Sequence, residues 1–325
     1  MKDSYGRTID YLRVSVTDRC NLRCVYCMPE EGVKPIPHER ILRFHEITRL
    51  VRILAEDGLK KVKLTGGEPL VRRGIADLTA ELQAVPGIES VTITTNGVLL
   101  KEMYDDLCDA GISAVTVSLD TLSPERFREI TRRDESGRVL EGLRYAVEKG
   151  RVPVKVNCVP MGGERFSDIY PVAELARDAP VHVRFIEMMP IGEGGSFEAP
   201  GEERLLSALG ERYGNLRPAE DVFGNGPCRY YRVPGFAGTI GFISALSHRF
   251  CGECNRVRLT SDGFLKTCLQ YDTGENLGPL LKGGASDEEI RAMVRRALKN
   301  KPAGHCFGDM PARGREIRRM SQIGG

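Results

Sequence analysis

The first two-thirds of the chain alternates short apolar runs with amphipathic stretches whose apolar residues recur at helical spacing. Six runs predict strands, at residues 11–16, 61–65, 90–96, 114–120, 152–160 and 181–190. Helices are predicted between them, at residues 39–57, 75–85, 99–110, 138–149 and 168–178. Strands that alternate with helices indicate an α/β fold whose parallel sheet has right-handed crossovers. Periodicity alone does not decide between an open doubly wound sheet and a partial barrel.

The pattern changes near Pro200. A helix predicted at residues 202–213 is followed by β-like runs at 229–233, 239–244, 256–260 and 264–267. Ser261-Asp262-Gly263 separates the last two runs and is a hairpin turn signal. Two further helices are predicted at residues 276–281 and 287–298. We therefore expect two segments, a strand–helix segment over residues 1–200 and a smaller, mostly antiparallel segment over residues 201–325.

The charge balance and the lack of long apolar runs exclude several classes of protein. A net charge of +2 over 325 residues provides no global field that would attract nucleic acid. No apolar run reaches the roughly 18 residues needed to span a membrane, and residues 1–6 lack the apolar core of a signal peptide. We therefore expect a cytoplasmic protein without nucleic-acid or membrane partners. Its ten cysteines would stay reduced there, and six of them form two tight groups that favour metal binding over disulfides.

The first cysteine group follows the first predicted strand. Cys20, Cys24 and Cys27 have C-x3-C-x2-C spacing, and thiolates suit iron–sulfur clusters or zinc. Three thiolates on a four-iron cubane leave one iron open to bind and activate a small molecule. The alternatives are a structural zinc knuckle or three unrelated thiols. The stretch resembles the motif of the radical S-adenosylmethionine (SAM) family, with Tyr26 as the aromatic residue before the third cysteine.

Unusual residues also stand where the other predicted strands end, which is where ligands bind in parallel α/β folds. Gly66-Gly67-Glu68-Pro69 follows the second strand, and Thr94-Thr95-Asn96-Gly97 ends the third. The missing side chains of the two glycines would let a ligand approach the backbone. In the radical SAM family the Gly-Gly-Glu-Pro element meets the amino-acid end of SAM, so its presence strengthens the resemblance.

The second cysteine group, Cys251, Cys254 and Cys268, spans the predicted hairpin. The odd count argues against a closed zinc site, but zinc or a fully ligated cluster stays open on spacing alone. A fourth ligand would have to come from Cys228, Cys306, His248 or His305.

Several cations lie within predicted strands. Arg256 and Arg258 are two residues apart, so both face one side of a strand and suit a phosphate chain. Arg13, Lys63 and Lys155 lie in three other strands, where a buried cation needs an anionic partner. The alternative is a solvated strand face for the arginine pair and a snorkelling surface side chain for each of the others.

Taken together, these motifs resemble those of one family, the GTP 3′,8-cyclases. It rests on residues 13–29, 64–70, 94–97, 184–189, 251–259 and 324–325, which lie in the family's order and span nearly the whole chain. The resemblance implies an incomplete (β/α)6 TIM-like barrel with a smaller C-terminal antiparallel segment closing the open side. It also implies a radical SAM lyase that converts GTP to (8S)-3′,8-cyclo-7,8-dihydroguanosine 5′-triphosphate, the first step of molybdopterin biosynthesis.

The same resemblance assigns site residues. It implies two [4Fe-4S] clusters, one held by Cys20, Cys24 and Cys27 and the other by Cys251, Cys254 and Cys268. It places S-adenosyl-L-methionine near Tyr26, Gly67, Ser118 and Met189. It places GTP near Arg13, Lys63, Thr94, Lys155, Arg256 and Arg258. Related sequences often have arginine in place of Lys63, so the bidentate phosphate contact is lost there.

The resemblance also implies partners, and two other interpretations stay open. The partners are GTP, an electron donor and the downstream cyclic pyranopterin monophosphate synthase, with a homodimer as the candidate oligomeric state. One alternative is a radical SAM peptide maturase with an auxiliary cluster, although such enzymes usually carry more cysteines in the C-terminal segment. The other is a non-catalytic, metal-stabilised binding protein, which only the Arg-rich residues 313–319 favour.

The tail, residues 304–325, is rich in glycine and arginine, and by default such a segment is disordered. However, Ile317, Met320 and Ile323 recur every third residue and give the tail an apolar edge. The final glycines, Gly324 and Gly325, have no side chains and could enter a crowded cavity. The resemblance places this end of the chain in the active site. We therefore predict that the glycine pair enters the barrel and helps to position Arg13 or neighbouring groups for catalysis.

Overall fold

The computed structural model describes residues 1–221, 223–224, 226–307 and 316–324. The strands are β1 (Tyr11–Ser15), β2 (Lys61–Thr65), β3 (Ser90–Thr95), β4 (Ala114–Ser118), β5 (Val154–Cys158), β6 (His182–Ile186), β7 (Arg217–Pro218), β8 (Arg229–Arg232), β9 (Thr239–Ile243), β10 (Arg256–Leu259), β11 (Phe264–Lys266) and β12 (Gly274–Asn276). The helices are α1 (Phe44–Glu56), α2 (Ile75–Gln83), α3 (Leu100–Asp109), α4 (Pro124–Thr131), α5 (Ser136–Lys149), α6 (Ile169–Glu174), α7 (Glu202–Tyr213), α8 (Gly278–Lys282), α9 (Asp287–Lys299) and α10 (Met320–Ile323).

All these strands belong to one sheet with the order β12-β11-β10-β1-β2-β3-β4-β5-β6-β9-β8-β7. Strands β1 to β6 are neighbours in chain order and pair in parallel. In the part of the chain that the structure describes, the edge strands β12 and β7 do not pair, so the sheet is not closed. The predicted incomplete (β/α)6 barrel is therefore confirmed.

The C-terminal strands flank the barrel strands on both sides. Strand β10 pairs in parallel with β1, and β9 pairs in parallel with β6. The remaining pairs, β7 with β8, β8 with β9, β10 with β11 and β11 with β12, are antiparallel. The predicted antiparallel character is thus confirmed, and the structure adds that this segment extends both edges of the barrel.

Alternation along each strand separates an apolar outer face from a polar interior. Leu12 and Val14 of β1 are fully buried in the core that also contains Leu50 and Leu54 of α1. The residues between them face the opposite side, because successive side chains of a strand alternate. Arg13 therefore points into the barrel rather than into the helical layer.

Several elements differ from their prediction, among them β7, β12, α4 and α10, which were not predicted. Residues 276–281 were expected to be one helix, but β12 ends at Asn276 and α8 begins at Gly278, because Phe264 of β11 pairs with Asn276. Helix α4 was not predicted. Its start does carry a sequence signal, since Ser123 caps the helix by accepting a hydrogen bond from the Arg126 amide, and Pro124 follows the cap.

Within the described residues, no helix combines the length and the hydrophobicity that crossing a membrane requires.

Candidate functional site

The first cysteine triad lies on the loop that follows β1. Backbone hydrogen bonds join this loop to the end of α4, from the Arg23 amide to the Thr131 carbonyl (2.9 Å) and from the Val25 amide to the Ile130 carbonyl (2.8 Å). The three cysteines brought together on this loop are Cys20, Cys24 and Cys27. The loop is therefore fixed by α4, the helix that the sequence pattern did not reveal.

Arg132 reinforces this attachment from an uncommon backbone conformation. It ends α4 with a φ of 55°, the only positive φ of a non-glycine residue in the described part of the chain. Its guanidinium donates to the carbonyl oxygens of Arg23 (2.9 Å) and Met28 (3.0 Å), on either side of Cys24 and Cys27. A left-handed conformation is unfavourable for arginine, so these contacts offset a local cost to hold the cysteine loop.

Hydrogen-bond donors face the sulfur of Cys20. The Leu22 amide lies 3.4 Å and the Asn96 Nδ2 lies 3.8 Å from the Cys20 Sγ. Burial raises the pKa of the Cys20 thiol to about 11 and that of the Cys27 thiol to about 12. These thiols would ionise only beside a compensating positive charge, such as the irons of a cluster, so the residues fit the group that the motif implies.

Glu68 ties the Gly-Gly-Glu-Pro element to the end of β3. Its carboxylate is 1% exposed and accepts hydrogen bonds from the Thr95 Oγ1 (2.6 Å), the Asn96 amide (2.6 Å) and the Leu70 amide (3.0 Å). Burial raises the pKa of Glu68 to about 7, although these hydrogen bonds act in the opposite direction. Asn96 also donates to the Asn21 Oδ1 (2.7 Å), so the network reaches the cysteine loop. The sequence marks the two stretches that contain Glu68 and Asn96, but it does not show that these residues link them.

Gly67 was expected to lack a side chain so that a ligand could approach its backbone, but the structure gives a different reason. A Cβ on this residue would overlap the carbonyl oxygen of Arg19, and the Glu68 amide donates to that oxygen at 2.8 Å. The space beside Gly67 therefore holds the backbone of the loop leading to Cys20, not a ligand. Contact between SAM and the Gly67 backbone stays a prediction.

The other predicted SAM residues also lie at or beyond the carboxyl ends of strands. The Tyr26 hydroxyl donates to the Asp120 Oδ2 at 2.7 Å, and burial raises the pKa of Asp120 to about 6. Ser118 is the last residue of β4, and Met189 follows β6. The structure thus brings Tyr26, Gly67, Ser118 and Met189 to one end of the barrel, and their contacts with SAM stay predictions.

Cations from five strands meet inside the barrel. Arg13 of β1 is in register with Lys63 of β2 and Arg258 of β10. Burial lowers the pKa of Lys63 well below its ordinary value, and the charges of Arg184, Arg13 and Lys155 act in the same direction. Burial, followed by the charge of Arg184, lowers the pKa of Lys155 to about 8. The strand register places Arg13 beside Lys63 and Arg258, and the direction of these shifts is consistent with mutual repulsion.

No carboxylate balances these charges from the strands themselves. The sequences of β1 to β6 contain no aspartate or glutamate. The positions facing the cations include Thr94 and Thr116, which are in register with each other. A cavity lined by cations and small hydroxyl side chains suits a polyanion such as a triphosphate.

Arg184 belongs to this group, although it was not among the predicted substrate residues. It is 9% exposed, and its Nη2 donates to the Thr116 Oγ1 at 3.2 Å. Its position inside the short apolar strand β6 is the same signal that identified Arg13. A cation inside an apolar strand therefore marks Arg184 in the sequence as it marks Arg13.

The second cysteine triad lies at the base of the β10–β11 hairpin. Cys251 and Cys254 bound a short 3-10 turn before β10, and Cys268 follows β11. The Lys301 Nζ lies 3.6 Å from the Cys254 Sγ, and the His305 amide lies 3.5 Å from the Cys251 Sγ. Burial opposes ionisation of Cys254, but the charges of Lys301 and Arg256 outweigh it and lower the pKa of this thiol to about 7.

The four candidate fourth ligands divide between two places. Cys306 contacts the Tyr271 hydroxyl at 3.1 Å, and it lies beside the triad together with His305. His248 lies instead 3.4 Å from the Glu202 Oε2, and Cys228 packs against Gly241 at the β8–β9 pair. Cys306 and His305 therefore stay candidates for a fourth ligand, whereas His248 and Cys228 lie elsewhere.

Over the described residues, no three His, Cys, Asp or Glu side chains converge closely enough to hold one metal ion. A single zinc ion needs all its ligands at about 2.0–2.3 Å. A cubane cluster instead takes one thiolate per iron, so its cysteines need not converge on one point.

The tail reaches the interior cations. The Gly324 carbonyl accepts hydrogen bonds from the Arg258 Nη1 (2.6 Å) and the Arg13 Nη2 (3.4 Å). Gly324 has a φ of 73°, and a Cβ there would lie 2.7 Å from the Thr65 Oγ1, so only glycine fits. Gly325 lies outside the described residues. A catalytic role for the glycine pair stays a prediction.

A buried ion pair anchors the tail upstream of this contact. Lys266 of β11 pairs with Glu316, and the two side chains are 0% and 1% exposed. The Lys266 Nζ also donates to the Tyr271 carbonyl (2.6 Å), and the Glu316 amide donates to the Gln270 carbonyl (2.8 Å). The tail is thus held on the hairpin that carries Cys268 before it enters the barrel.

Comparison with known proteins bears on both halves of the chain. The sequence profile described as the Radical SAM superfamily matches residues 14–176, and the profile described as Molybdenum Cofactor Synthesis C matches residues 181–307. A GTP 3′,8-cyclase from Pelotomaculum thermopropionicum is 47% identical over 330 residues, which cover 100% of this chain and 100% of the relative. A second, from Syntrophomonas wolfei, is 46% identical over 333 residues with the same full coverage.

Among solved structures, Streptococcus suis SuiB bound to S-adenosylmethionine has a TM-score of 0.62 and a sequence identity of 15%. The alignment covers 90% of this chain and 68% of that one. At this identity the likeness shows a shared fold.

Proposed function

This chain belongs to the GTP 3′,8-cyclase family of radical SAM enzymes, and we propose that it converts GTP to (8S)-3′,8-cyclo-7,8-dihydroguanosine 5′-triphosphate. That reaction is the first step of molybdopterin biosynthesis. The observation that carries the proposal is the interior cation group, Arg13, Lys63, Lys155, Arg184 and Arg258, which lies between two cysteine triads in strands that lack carboxylates.

The two triads would each hold one [4Fe-4S] cluster, Cys20, Cys24 and Cys27 the first and Cys251, Cys254 and Cys268 the second. When bound, the first cluster and SAM supply the one-electron chemistry that begins the reaction. The open position at the first cluster and the carboxyl ends of β2, β4 and β6 would receive SAM, next to Tyr26, Gly67, Ser118 and Met189.

The cations would bind the triphosphate and thereby orient the ribose and the base. Arg256 and Arg258 alternate with apolar residues on β10, and Arg13 and Lys63 are in register with Arg258. Fixing the phosphates from several strands would present the ribose at reacting distance from the SAM side of the barrel. Thr94 would add a hydroxyl contact from β3. The docked tail, with Gly324 on Arg13 and Arg258, would help to exclude water from this space.

The proposed reaction also needs partners and a reducing compartment. It requires an electron donor for the first cluster and a downstream enzyme, the cyclic pyranopterin monophosphate synthase, that takes the product. It assumes a cytoplasmic enzyme, where a reducing environment keeps the cysteines available. A homodimer is the proposed oligomeric state.

Mass analysis of the product tests the reaction. The reconstituted protein is incubated anaerobically with GTP, SAM and a chemical reductant, and we expect an isomer of GTP together with 5′-deoxyadenosine. Cys24→Ala should abolish formation of 5′-deoxyadenosine, whereas Cys254→Ala should retain part of it and lose the cyclised product. Cys108→Ala is the matched control, because Cys108 lies on α3, away from both triads.

Two results would contradict the proposal. If Cys24→Ala formed 5′-deoxyadenosine as fast as the wild type, the first triad would not be the electron source. If the loaded protein cleaved SAM but left GTP unchanged, another substrate would have to be sought.

A further inference from the structure

Lys301 follows α9 and is 3% exposed, yet its ammonium group lies among polar atoms of the second cysteine triad. Its Nζ lies 3.6 Å from the Cys254 Sγ and donates to the carbonyl oxygens of Arg256 (3.0 Å) and Thr267 (2.5 Å). An ammonium group has three N–H donors, and these three acceptors account for all of them.

The three acceptors belong to the two arms that carry cluster ligands. Cys254 and Arg256 lie at the start of β10, and Thr267 directly precedes Cys268. One side chain from a separate element therefore joins the two cysteines across the hairpin. Truncating Lys301 would leave two carbonyl oxygens without their donor and would free Cys268 to move relative to Cys254.

The charge of Lys301 also lacks the kind of partner that other buried cations nearby possess. Lys266 is paired with Glu316, and Arg7, which donates to the Cys251 carbonyl, is paired with Asp3. For Lys301, no ion pair with a carboxylate is recorded in the described residues. A buried ammonium group is costly unless an anion compensates it, and here the nearest group that can carry negative charge is the Cys254 sulfur.

We propose that Lys301 is a positioning residue for the second cluster, which it serves by fixing Cys254 relative to Cys268 and by placing a positive charge beside the Cys254 sulfur. The proposal rests on the proposed function, because it requires a cluster on this triad. A cation and a hydrogen bond at a ligand sulfur stabilise the more negative, reduced state of a cluster and so raise its reduction potential. The second cluster of this protein therefore owes part of its potential to a residue that is not a ligand.

The test isolates the second cluster. The parent protein carries Cys20→Ala, Cys24→Ala and Cys27→Ala, so that only the second triad can bind iron. Lys301→Met removes the charge and the donors, whereas Lys301→Gln removes the charge and retains a donor. Lys299→Met is the matched control, since Lys299 lies two residues away, is exposed and contributes only its backbone carbonyl to a recorded hydrogen bond. Iron and sulfide content and the midpoint potential, followed by EPR during a redox titration, are compared without GTP or SAM.

We expect Lys301→Met and Lys301→Gln to lower the midpoint potential relative to the parent, and Lys299→Met to leave it unchanged. Loss of iron from both Lys301 variants, with apo-protein circular dichroism equal to that of the parent, would also support the positioning role. If both variants misfold, Lys301→Arg, which keeps the charge and the donors, must restore cluster loading, and its failure to do so would overturn the proposal.

Two further results distinguish the role of Lys301 from the existence of the second cluster. Fully loaded Lys301→Met with the parent's midpoint potential would overturn the role of Lys301 alone. A parent protein that binds no iron on the second triad would overturn the second cluster itself, and with it this inference.

Discussion

Folding disfavours the charged forms of two of the interior cations, Lys63 and Arg258. Burial lowers the pKa of Lys63 and of Arg258 well below their ordinary values, and mutual repulsion adds to the effect. Each shift means that folding destabilises the charged form of the side chain. A bound triphosphate would favour these charged forms, so GTP should stabilise the folded protein.

Arg184 provides a direct test of this cation group. Replacing it by methionine should weaken GTP binding by about 1.5–3 kcal/mol, the range for a charged hydrogen bond, when calorimetry is performed anaerobically. Guanosine, which has no phosphates, should lose much less. Arg144→Met is the control, because Arg144 is exposed on α5. Equal losses for GTP and guanosine would place Arg184 away from the phosphates.

Lys155 should make GTP binding depend on pH. Its pKa is lowered to about 8 by burial and by Arg184, and only its protonated form attracts phosphate. Above pH 8 the free enzyme must take up a proton to bind GTP, so the Kd should rise by up to tenfold per pH unit. Folding stability should change with pH in the opposite direction. Because the pKa of Lys155 is lowered on folding, its charged form destabilises the folded chain below about pH 8, and this cost disappears as the pH rises above that value.

The check on Lys155 is calorimetry in buffers of different ionisation enthalpy, which counts the protons taken up. Lys155→Arg should abolish the uptake, because a guanidinium stays charged across this range. If wild-type protein bound GTP between pH 7 and 9 with a constant Kd and no proton uptake, Lys155 would not contact the phosphates.

Which residues could be predicted depends on how local their signal is. Arg13, Lys63 and Lys155 could be recognised because a cation inside a short apolar strand is unusual. The contacts of Glu68 and Lys301 could not be predicted, because their partners, Asn96 and Cys254, come from elements far away in the sequence.

At the scale of elements, the strands of the barrel were predicted to within a few residues of their ends. For example, β2 and α7 have the predicted bounds, whereas β5 is shorter than residues 152–160. The apolar runs end at turn residues, which makes the ends visible in the sequence. The placement of β9 and β10 at opposite edges was not visible, because it depends on pairing with β6 and β1 over long distances in the chain.

The tail anchor can be tested by removing one charge. Glu316→Gln would leave the Lys266 ammonium buried without its counter-ion, which costs about 3–5 kcal/mol. The tail can leave its site more easily than β11 can, so this cost should appear as undocking of residues 316–324. Trypsin should then cleave after Arg318 or Arg319 faster than in the wild type, as followed by mass spectrometry.

Two variants complete the tail experiment. Glu148→Gln, an exposed change on α5, should leave the cleavage rate unchanged. Adding Lys266→Met to Glu316→Gln removes the unpaired charge and should slow cleavage again. A Glu316→Gln protein with the wild-type cleavage rate would show that the ion pair does not hold the tail.

At the scale of the whole molecule, both profile-matched regions contribute to one sheet. The division at residue 200 stays a prediction, since the barrel strands β1 and β6 have C-terminal strands as their outer neighbours. A fragment of residues 1–200 would expose two strand edges that the full chain covers.

We therefore expect the fragment of residues 1–200 to aggregate, whereas the full chain should unfold in one cooperative transition. Light scattering after size-exclusion chromatography measures the first outcome, and differential scanning calorimetry measures the second. Co-expression with residues 201–325 should recover soluble material. A monomeric fragment with its own sharp unfolding transition would show that the barrel is an independent domain.

The same strand order determines when each strand can pair during synthesis of the chain. Strand β1 is the first strand to be synthesised, but its outer partner begins only at Arg256. At ~5–20 residues per second, the ribosome needs roughly 10–50 s to make the residues between them. Throughout that interval one side of β1 has no native partner to bind, so this edge is where a nascent-chain chaperone would be needed most.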